Sequence, residues 1–264
     1  MNNNKQNRKR KRHYDHIINV NEQQLTQHGN PFMPDGYRRI LIVGSSFTGK
    51  TRSLCKILPL IGTPKKVFFY VPSGLDNDIY KAIIEYYKKI RNVEIFELEK
   101  LEAIDDLLKD ESLEEYDHNL IILDDLTKED LESQTLFNLI TRGRHRHLNI
   151  IIITQNYFAV PPGVRNNMTE MGLFPCDQPD QIYHKSPIKQ HFDNNLQKFL
   201  STYKDATAWN ENGDRDWLHV ILDNSCPKSM IIRKGMKQML TDFDDEGTNV
   251  KKMNLNDEII KKIN

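Results

Sequence analysis

The stretch RILIVGSSFTGKT, Arg39 to Thr51, limits the possible folds of this chain more than any other. Ile40 to Val43 form an apolar run that reads as a strand, the residues behind it match GxxxxGK[ST], and helical patterning begins at Lys50 and continues to about Leu60. Glycines let backbone N–H groups curl around phosphate oxygens, and the N-terminus of the following helix favours an anion. Gly44, Ser45, Ser46, Phe47, Thr48, Gly49, Lys50 and Thr51 are therefore expected to cradle a nucleoside triphosphate. Lys50 should reach the β- and γ-phosphates, and the Thr51 hydroxyl should ligate Mg²⁺.

Short apolar runs alternate with amphipathic segments on both sides of this loop. Strands are expected at Arg39–Val43, Lys66–Val71, Val93–Leu98, Leu120–Leu123 and Leu148–Ile153. Helices are expected over Asp76 to about Ile90, near Lys100–Asp110, and over Glu129 to about Ile140. This predicts an α/β fold, a P-loop NTPase with a mostly parallel sheet and helices on both faces. Ile121 to Leu123 and Ile150 to Ile153 are apolar at successive positions, so those strands should be central. A helix from about Ile188 to Tyr203 and a late hairpin, Trp217–Leu222 with Met230–Arg233, should complete the sheet at its edge. The domain reading is a basic flexible arm over 1–36, an ATPase domain over 37–240 and a charged tail over 241–264.

Composition narrows the partners. The 37 basic and 37 acidic residues cancel. Six of the basic ones, Lys5, Arg8, Lys9, Arg10, Lys11 and Arg12, fall in the first twelve positions, leaving 31 against 37 and a net −6 on the remainder. Such an arm reads as a nucleic-acid or nuclear-import element. The longest uncharged apolar run, Leu148 to Val160, is broken by polar residues and is shorter than the roughly 20 residues of a membrane span, so no transmembrane helix is expected. Cys55, Cys176 and Cys226 have no zinc or disulfide spacing, which fits a reducing compartment.

A phosphate loop needs a carboxylate strand beside it, and NLIILDDL, Asn119 to Leu126, supplies one. Asp124 is expected to hold Mg²⁺ and Asp125 to polarise the attacking water. Thr127-Lys128-Glu129-Asp130 imitates a guanine-reading element, but it directly follows the acid pair and has the spacing of a helix N-cap, so adenine is the base expected. NIIIITQN ends in Gln155, placed to sense the γ-phosphate, with Thr154 and Asn156 beside it. TRGRHRH, Thr141 to His147, concentrates arginine; Arg142 and Arg144 are the candidates for contact with a neighbouring subunit's triphosphate or with a DNA backbone.

The P-loop strand, the Asp-Asp strand, LITRGRHRHLNIIIITQNYF and VRNNMTEMGLF together resemble the FtsK–HerA superfamily, in particular the poxvirus-type genome-packaging ATPases also found in virophages and polinton-like viruses. The resemblance covers about residues 38–235. It implies a RecA-like core that binds ATP and Mg²⁺, assembles into a homo-oligomeric ring, a hexamer or pentamer, and pumps double-stranded DNA into a preformed capsid at its portal vertex. It implies Lys50 and Thr51 for phosphate and metal, Asp124 for metal, Asp125 at the catalytic acid position, Gln155 as sensor, and an arginine within 142–146 as the finger acting in trans. It places the chain in the host cytoplasm, at a virus factory, or in the nucleus, with virion association. Two departures stand out: most cellular members have Glu where this chain has Asp125, and Phe47 sits at the loop apex, where it shields the nucleotide or meets a neighbour. A P-loop nucleotide kinase and a non-enzymatic DNA-binding capsid protein are the alternatives at this stage.

Overall fold

The computed structural model describes residues 37–115, 118–209, 215–222, 231–236, 238–241 and 251–254. The arm 1–36 lies outside them. A single ten-stranded sheet organises the chain, in the order β10-β9-β8-β7-β6-β1-β5-β4-β2-β3. The strands are β1 Arg39–Val43, β2 Lys66–Tyr70, β3 Glu94–Glu97, β4 Asn119–Asp124, β5 Leu148–Thr154, β6 Glu170–Leu173, β7 Leu218–Ile221, β8 Ile232–Lys234, β9 Gln238–Thr241 and β10 Lys251–Asn254. From β3 to β6 neighbouring strands are parallel; from β6 to β10 they are antiparallel.

Alternation within each strand divides the core between the two faces of the sheet. Ile40, Ile42, Val67, Phe69, Leu120, Ile122, Ile151 and Ile153 pack on one face under helices α1 (Lys50–Ile61) and α2 (Asp78–Lys89). Leu41, Val43, Phe68, Tyr70, Ile121, Leu123, Ile150 and Ile152 pack on the other, under α3 (Ala103–Leu107), α4 (Lys128–Glu132), α5 (Gln134–Arg142), α6 (Pro162–Arg165), α7 (Pro179–Lys185) and α8 (Leu196–Thr207). Both faces of β4 and β5 are covered, so these strands are central and apolar at successive positions, as the sequence implies. Edge strand β3 carries Glu94 and Glu97 exposed, charges that discourage further pairing.

The structure corrects four boundaries. The helix expected over Glu129–Ile140 is two helices, because Ser133 takes an extended backbone, donates to the Asp130 carbonyl and accepts from Leu136 N–H at 3.1 Å. A serine that bonds its own backbone in this way competes with the helix and stops it. The helix expected over Ile188–Tyr203 is a 3₁₀ segment, Pro187–Phe192, followed by α8. Asp193 and Asn194 adopt left-handed backbone between them, and Asn195 caps α8 by accepting from Lys198 N–H. Strand β6 lies in a stretch assigned no element above. Finally, the late hairpin β7–β8 is present, but β7 pairs with β6, and β9 and β10 carry the sheet past it. β10 falls within the 241–264 segment, and Met230 of the expected strand lies outside the described residues.

Candidate nucleotide site

Because β1, β2, β4, β5 and β6 are parallel, their carboxyl ends open on one side of the sheet, and the loops behind them meet there. The loop Gly44–Gly49 leaves β1 and turns directly into α1. Its two glycines have different reasons. A Cβ on Gly44 would sit 2.4 Å from the Phe174 Cβ, so only glycine lets the loop pass. Gly49 caps α1 in left-handed backbone, φ 94°. The first turn of α1 carries no acid, which leaves its N-terminal N–H groups open to an anion.

The loop is fixed from both sides. Gly44 N–H donates to Thr154 O at 3.4 Å and Ser45 N–H to Pro175 O at 2.9 Å, tying it to the ends of β5 and β6. Tyr203 of α8 holds the β6 end in turn, its hydroxyl donating to Phe174 O and accepting from Cys176 N–H, each at 2.9 Å. Within the loop, Lys50 Nζ donates to Ser45 O at 2.7 Å. Burial lowers the Lys50 pKa, while Asp124 and Asp125 pull it back up. Its ammonium is therefore a partly desolvated cation aimed across the loop, a costly arrangement that an oxyanion would relieve.

The expected residues converge from three strands. Thr51 Oγ1 donates to Asp124 Oδ2 at 3.0 Å. Gln155 Oε1 accepts from Ser46 Oγ at 2.8 Å, which joins the end of β5 to the loop apex. The Thr154 and Asn156 side chains turn instead toward their own backbone, Asn156 capping the 3₁₀ turn Tyr157–Ala159, so of that triplet only Gln155 reaches the loop with its side chain. Asp125 is exposed, takes left-handed backbone at φ 56°, and accepts from Ser73 Oγ at 2.7 Å. A non-glycine held there costs on the order of 1 kcal/mol and is characteristic of functional positions. Thr127 and Asp130 form a full capping box on α4, as their spacing implies.

Asp124 is 5% exposed. Burial and the neighbouring Asp125 raise its pKa, against hydrogen bonds from Tyr80, Thr51 and Asp125 N–H that hold it down. The Tyr80 hydroxyl donates to Asp124 Oδ2 at 2.5 Å, and burial beside two carboxylates drives its own pKa far up, so it stays a donor. Tyr80 and Ser73 do not appear in the sequence reading. Ser73 carried a readable signal, a polar Pro72-Ser73-Gly74 turn behind a parallel strand; Tyr80, an apolar-face residue of α2, carried none.

Arg142 and Arg144 lie elsewhere. They are exposed at the turn that begins β5, at the opposite end of the sheet from the loop, about 20 Å away along a seven-residue strand. Gly143 between them is buried, with Ile150 Cδ1 3.1 Å from where a Cβ would stand. Arg165, half-buried, stacks on Tyr157 at 4.5 Å; Tyr157 is core, and Phe158 is partly exposed.

This is the arrangement of a P-loop NTPase. No curated protein matches the chain significantly. Among solved structures, the genome packaging NTPase B204 from Sulfolobus turreted icosahedral virus 2, in complex with AMP, is 14% identical over 75% of this chain and 96% of that chain, with a TM-score of 0.48. B204, the DNA-packaging ATPase from Sulfolobus turreted icosahedral virus, is 10% identical over 74% and 94%, TM-score 0.44. EssC (ATPases 2 and 3) from Geobacillus thermodenitrificans is 15% identical over 55% and 33%, TM-score 0.37. The family model of the Poxvirus A32 protein matches residues 31–261. The chain, matched over most of its length, belongs to the poxvirus A32 protein family.

Proposed function

We propose that this chain is a viral DNA-packaging ATPase, which hydrolyses ATP to drive double-stranded DNA into a capsid. Membership of the poxvirus A32 family supports the packaging role. The observation that carries the chemistry is the convergence of three strand ends on one loop, Thr51 on Asp124 at 3.0 Å and Ser46 on Gln155 at 2.8 Å.

In this reading Lys50 and the α1 N-terminus bind the β- and γ-phosphates. Thr51 and Asp124 would hold Mg²⁺, because a hydroxyl and a buried carboxylate, the hard oxygen donors this ion prefers, meet there. Mg²⁺ bound there supplies charge neutralisation across the β- and γ-phosphates. Asp125, held by Ser73, orients a water and takes its proton. Gln155 senses the γ-phosphate and passes its presence to the loop through Ser46.

Arg142 and Arg144 lie too far from their own loop to act in cis, so their role at a triphosphate belongs to the neighbouring subunit of a pentameric or hexameric ring. The ring acts on duplex DNA at the capsid or portal vertex, in the host cytoplasm or nucleus, and the basic segment within 1–36 serves DNA or import. Among the described residues no helix is long and apolar enough to cross a membrane.

Phosphate release measured with and without double-stranded DNA, on wild type and Lys50→Ala, tests the reading. DNA-stimulated release in wild type and none in the variant is expected. Equal release from both refutes it, and transfer of phosphate to an acceptor in place of release would indicate a kinase.

A further inference from the structure

Three donors hold the Asp124 carboxylate, and they divide unevenly between its oxygens. Asp125 N–H donates to Oδ1 at 2.9 Å, whereas Oδ2 accepts both from Thr51 Oγ1 at 3.0 Å and from the Tyr80 hydroxyl at 2.5 Å. Three of the roughly four lone-pair sites of the group are thereby taken. Thr51 opens α1 and is itself a metal ligand in the reading above. Tyr80 is the donor that belongs neither to the phosphate loop and its helix nor to the strand of the acids.

Its placement begins in the sheet. β2 lies beside β4 in parallel register, Tyr70 opposite Leu123, so the chain leaving β2 runs on past the end of β4. Gly74, in left-handed backbone at φ 85° with its N–H on Val71 O, turns that chain. Asn77 then caps α2, its side chain accepting from Ile79 N–H at 3.0 Å and from Tyr80 N–H at 2.9 Å, which fixes the first turn. Tyr80 is 1% exposed, and its ring meets the Phe69 ring edge-on, centroids 6.0 Å apart at 81°. Backbone and ring are both pinned, so the hydroxyl is fixed with them. The same segment sends Ser73 to Asp125 at 2.7 Å, one donor for each acid.

This rigidity has a consequence for the ion. The torsion that turns an aspartate carboxylate is broad and roughly twofold, so an unrestrained group presents its oxygens over a range of angles. A donor on each oxygen, one from the adjoining backbone and one from a pinned side chain, stops that rotation. Mg²⁺ demands near-octahedral ligands at about 2.0–2.1 Å, whereas Ca²⁺ accepts roughly six to eight oxygens in flexible arrangements at about 2.3–2.6 Å. A carboxylate held in one orientation therefore favours the smaller ion. A side chain needed only to fill the core would be phenylalanine, which occupies the same space without the cost of desolvating an O–H.

We infer that Tyr80 is a positioning residue of the metal site, and that by holding Asp124 in one orientation it makes the site select Mg²⁺ over Ca²⁺. The inference rests on the ATPase reading, which places the ion at Thr51 and Asp124.

Calorimetric titration with the non-hydrolysable analogue AMPPCP, in EDTA, in saturating Mg²⁺ and in saturating Ca²⁺, tests it. Wild type should bind Mg·AMPPCP at least about tenfold more tightly than either Ca·AMPPCP or the metal-free analogue. Tyr80→Phe, which keeps the ring, should weaken Mg·AMPPCP by about tenfold or more, while Ca·AMPPCP and the metal-free analogue bind as they do to wild type, which also shows that the variant is folded. Tyr86→Phe, elsewhere on α2, should change none of the three. Mg²⁺ and Ca²⁺ complexes bound alike by wild type, Tyr80→Phe weakening all three forms equally, or Tyr80→Phe leaving the Mg²⁺ complex untouched would each overturn the positioning role while leaving the metal site standing. Wild-type affinity that neither metal raises overturns the placement of the ion at Thr51 and Asp124 as well.

Discussion

Two buried carboxylates on the same sheet, Glu170 and Asp124, differ in what surrounds them, and the difference separates framework from site. Glu170 begins β6, where the parallel strands start, and is 0% exposed. Arg38 clamps it with two bonds, Nε to Oε1 at 2.5 Å and Nη2 to Oε2 at 2.7 Å, and His219 Nε2 lies 2.7 Å from Oε2. The Trp217 indole can only donate, so His219 Nδ1 accepts from it at 3.4 Å and Nε2 carries the proton toward Glu170. Burial opposes ionisation, but Arg38 and His219 outweigh it and hold the Glu170 pKa at about 2. Asp124 ends β4, where the parallel strands finish. The groups that hydrogen-bond to it are neutral donors, the Lys50 ammonium feels its charge without bonding it, a second acid is next door, and burial raises its pKa. One end of the sheet carries its countercharge within the fold; the other leaves a carboxylate whose natural partner is a bound cation.

Breaking the framework pair should have the largest effect. Glu170→Gln removes the charge that faces the buried Arg38 guanidinium and should cost about 3–5 kcal/mol in urea unfolding, with turnover per folded molecule unchanged. Its pH dependence has a definite sign. The folded pKa of Glu170 lies below the ordinary 4.5, so its stabilisation is complete above that pH and is lost as pH falls toward about 2. His219 is held neutral by burial, its pKa below 6.5, so acid also withdraws stability there as the unfolded chain takes up the proton. Unfolding midpoints of wild type should therefore drop in two stages on acidification, and Glu170→Gln should flatten the lower one.

At the other end, changes should affect chemistry more than stability. Asp125→Asn should keep ATP bound but slow its hydrolysis by about a hundredfold or more, read as single-turnover phosphate release. An intact rate would remove Asp125 from the base position. Gln155→Ala should bind ATP with near wild-type affinity and hydrolyse it about tenfold more slowly, a rise of roughly 1.4 kcal/mol in the barrier; a large loss of affinity instead would make Gln155 part of the binding loop. The smallest effect should be that of Asp124→Asn on the protein alone, within about 1 kcal/mol of wild type, since the amide removes a desolvated charge while disturbing its donors. The variant should nevertheless lose the extra thermal stabilisation that Mg²⁺ adds to ATP. A destabilisation as large as that of Glu170→Gln would erase the distinction between the two ends.

How far these features could be read ahead of the fold follows the range of the interactions behind them. β1, β4 and β5 are legible because both of their faces are covered, which writes an uninterrupted apolar run, and Lys50, Thr51 and Asp124 follow from their places at strand ends. β6 escapes because Glu170-Met171-Gly172-Leu173 begins with a charge and contains a glycine; what makes it a buried strand is Arg38, 132 positions earlier, and Trp217, whose ring stands 3.1 Å from where a Gly172 Cβ would be. Tyr80 was silent for the same reason: its partner Asp124 lies 44 positions away.

The sequence by itself determined the phosphate loop, the order of strand and helix around it, and the acids and amide at two strand ends, because local backbone geometry and the periodicity of burial are properties of neighbouring residues. The tertiary structure alone decided which strands are neighbours, which carboxylate receives a countercharge, which aromatics border the loop, and that Arg142 and Arg144 face away from their own site. Those outcomes depend on desolvation and on charges brought together across the sheet, and neither exists until the chain has closed.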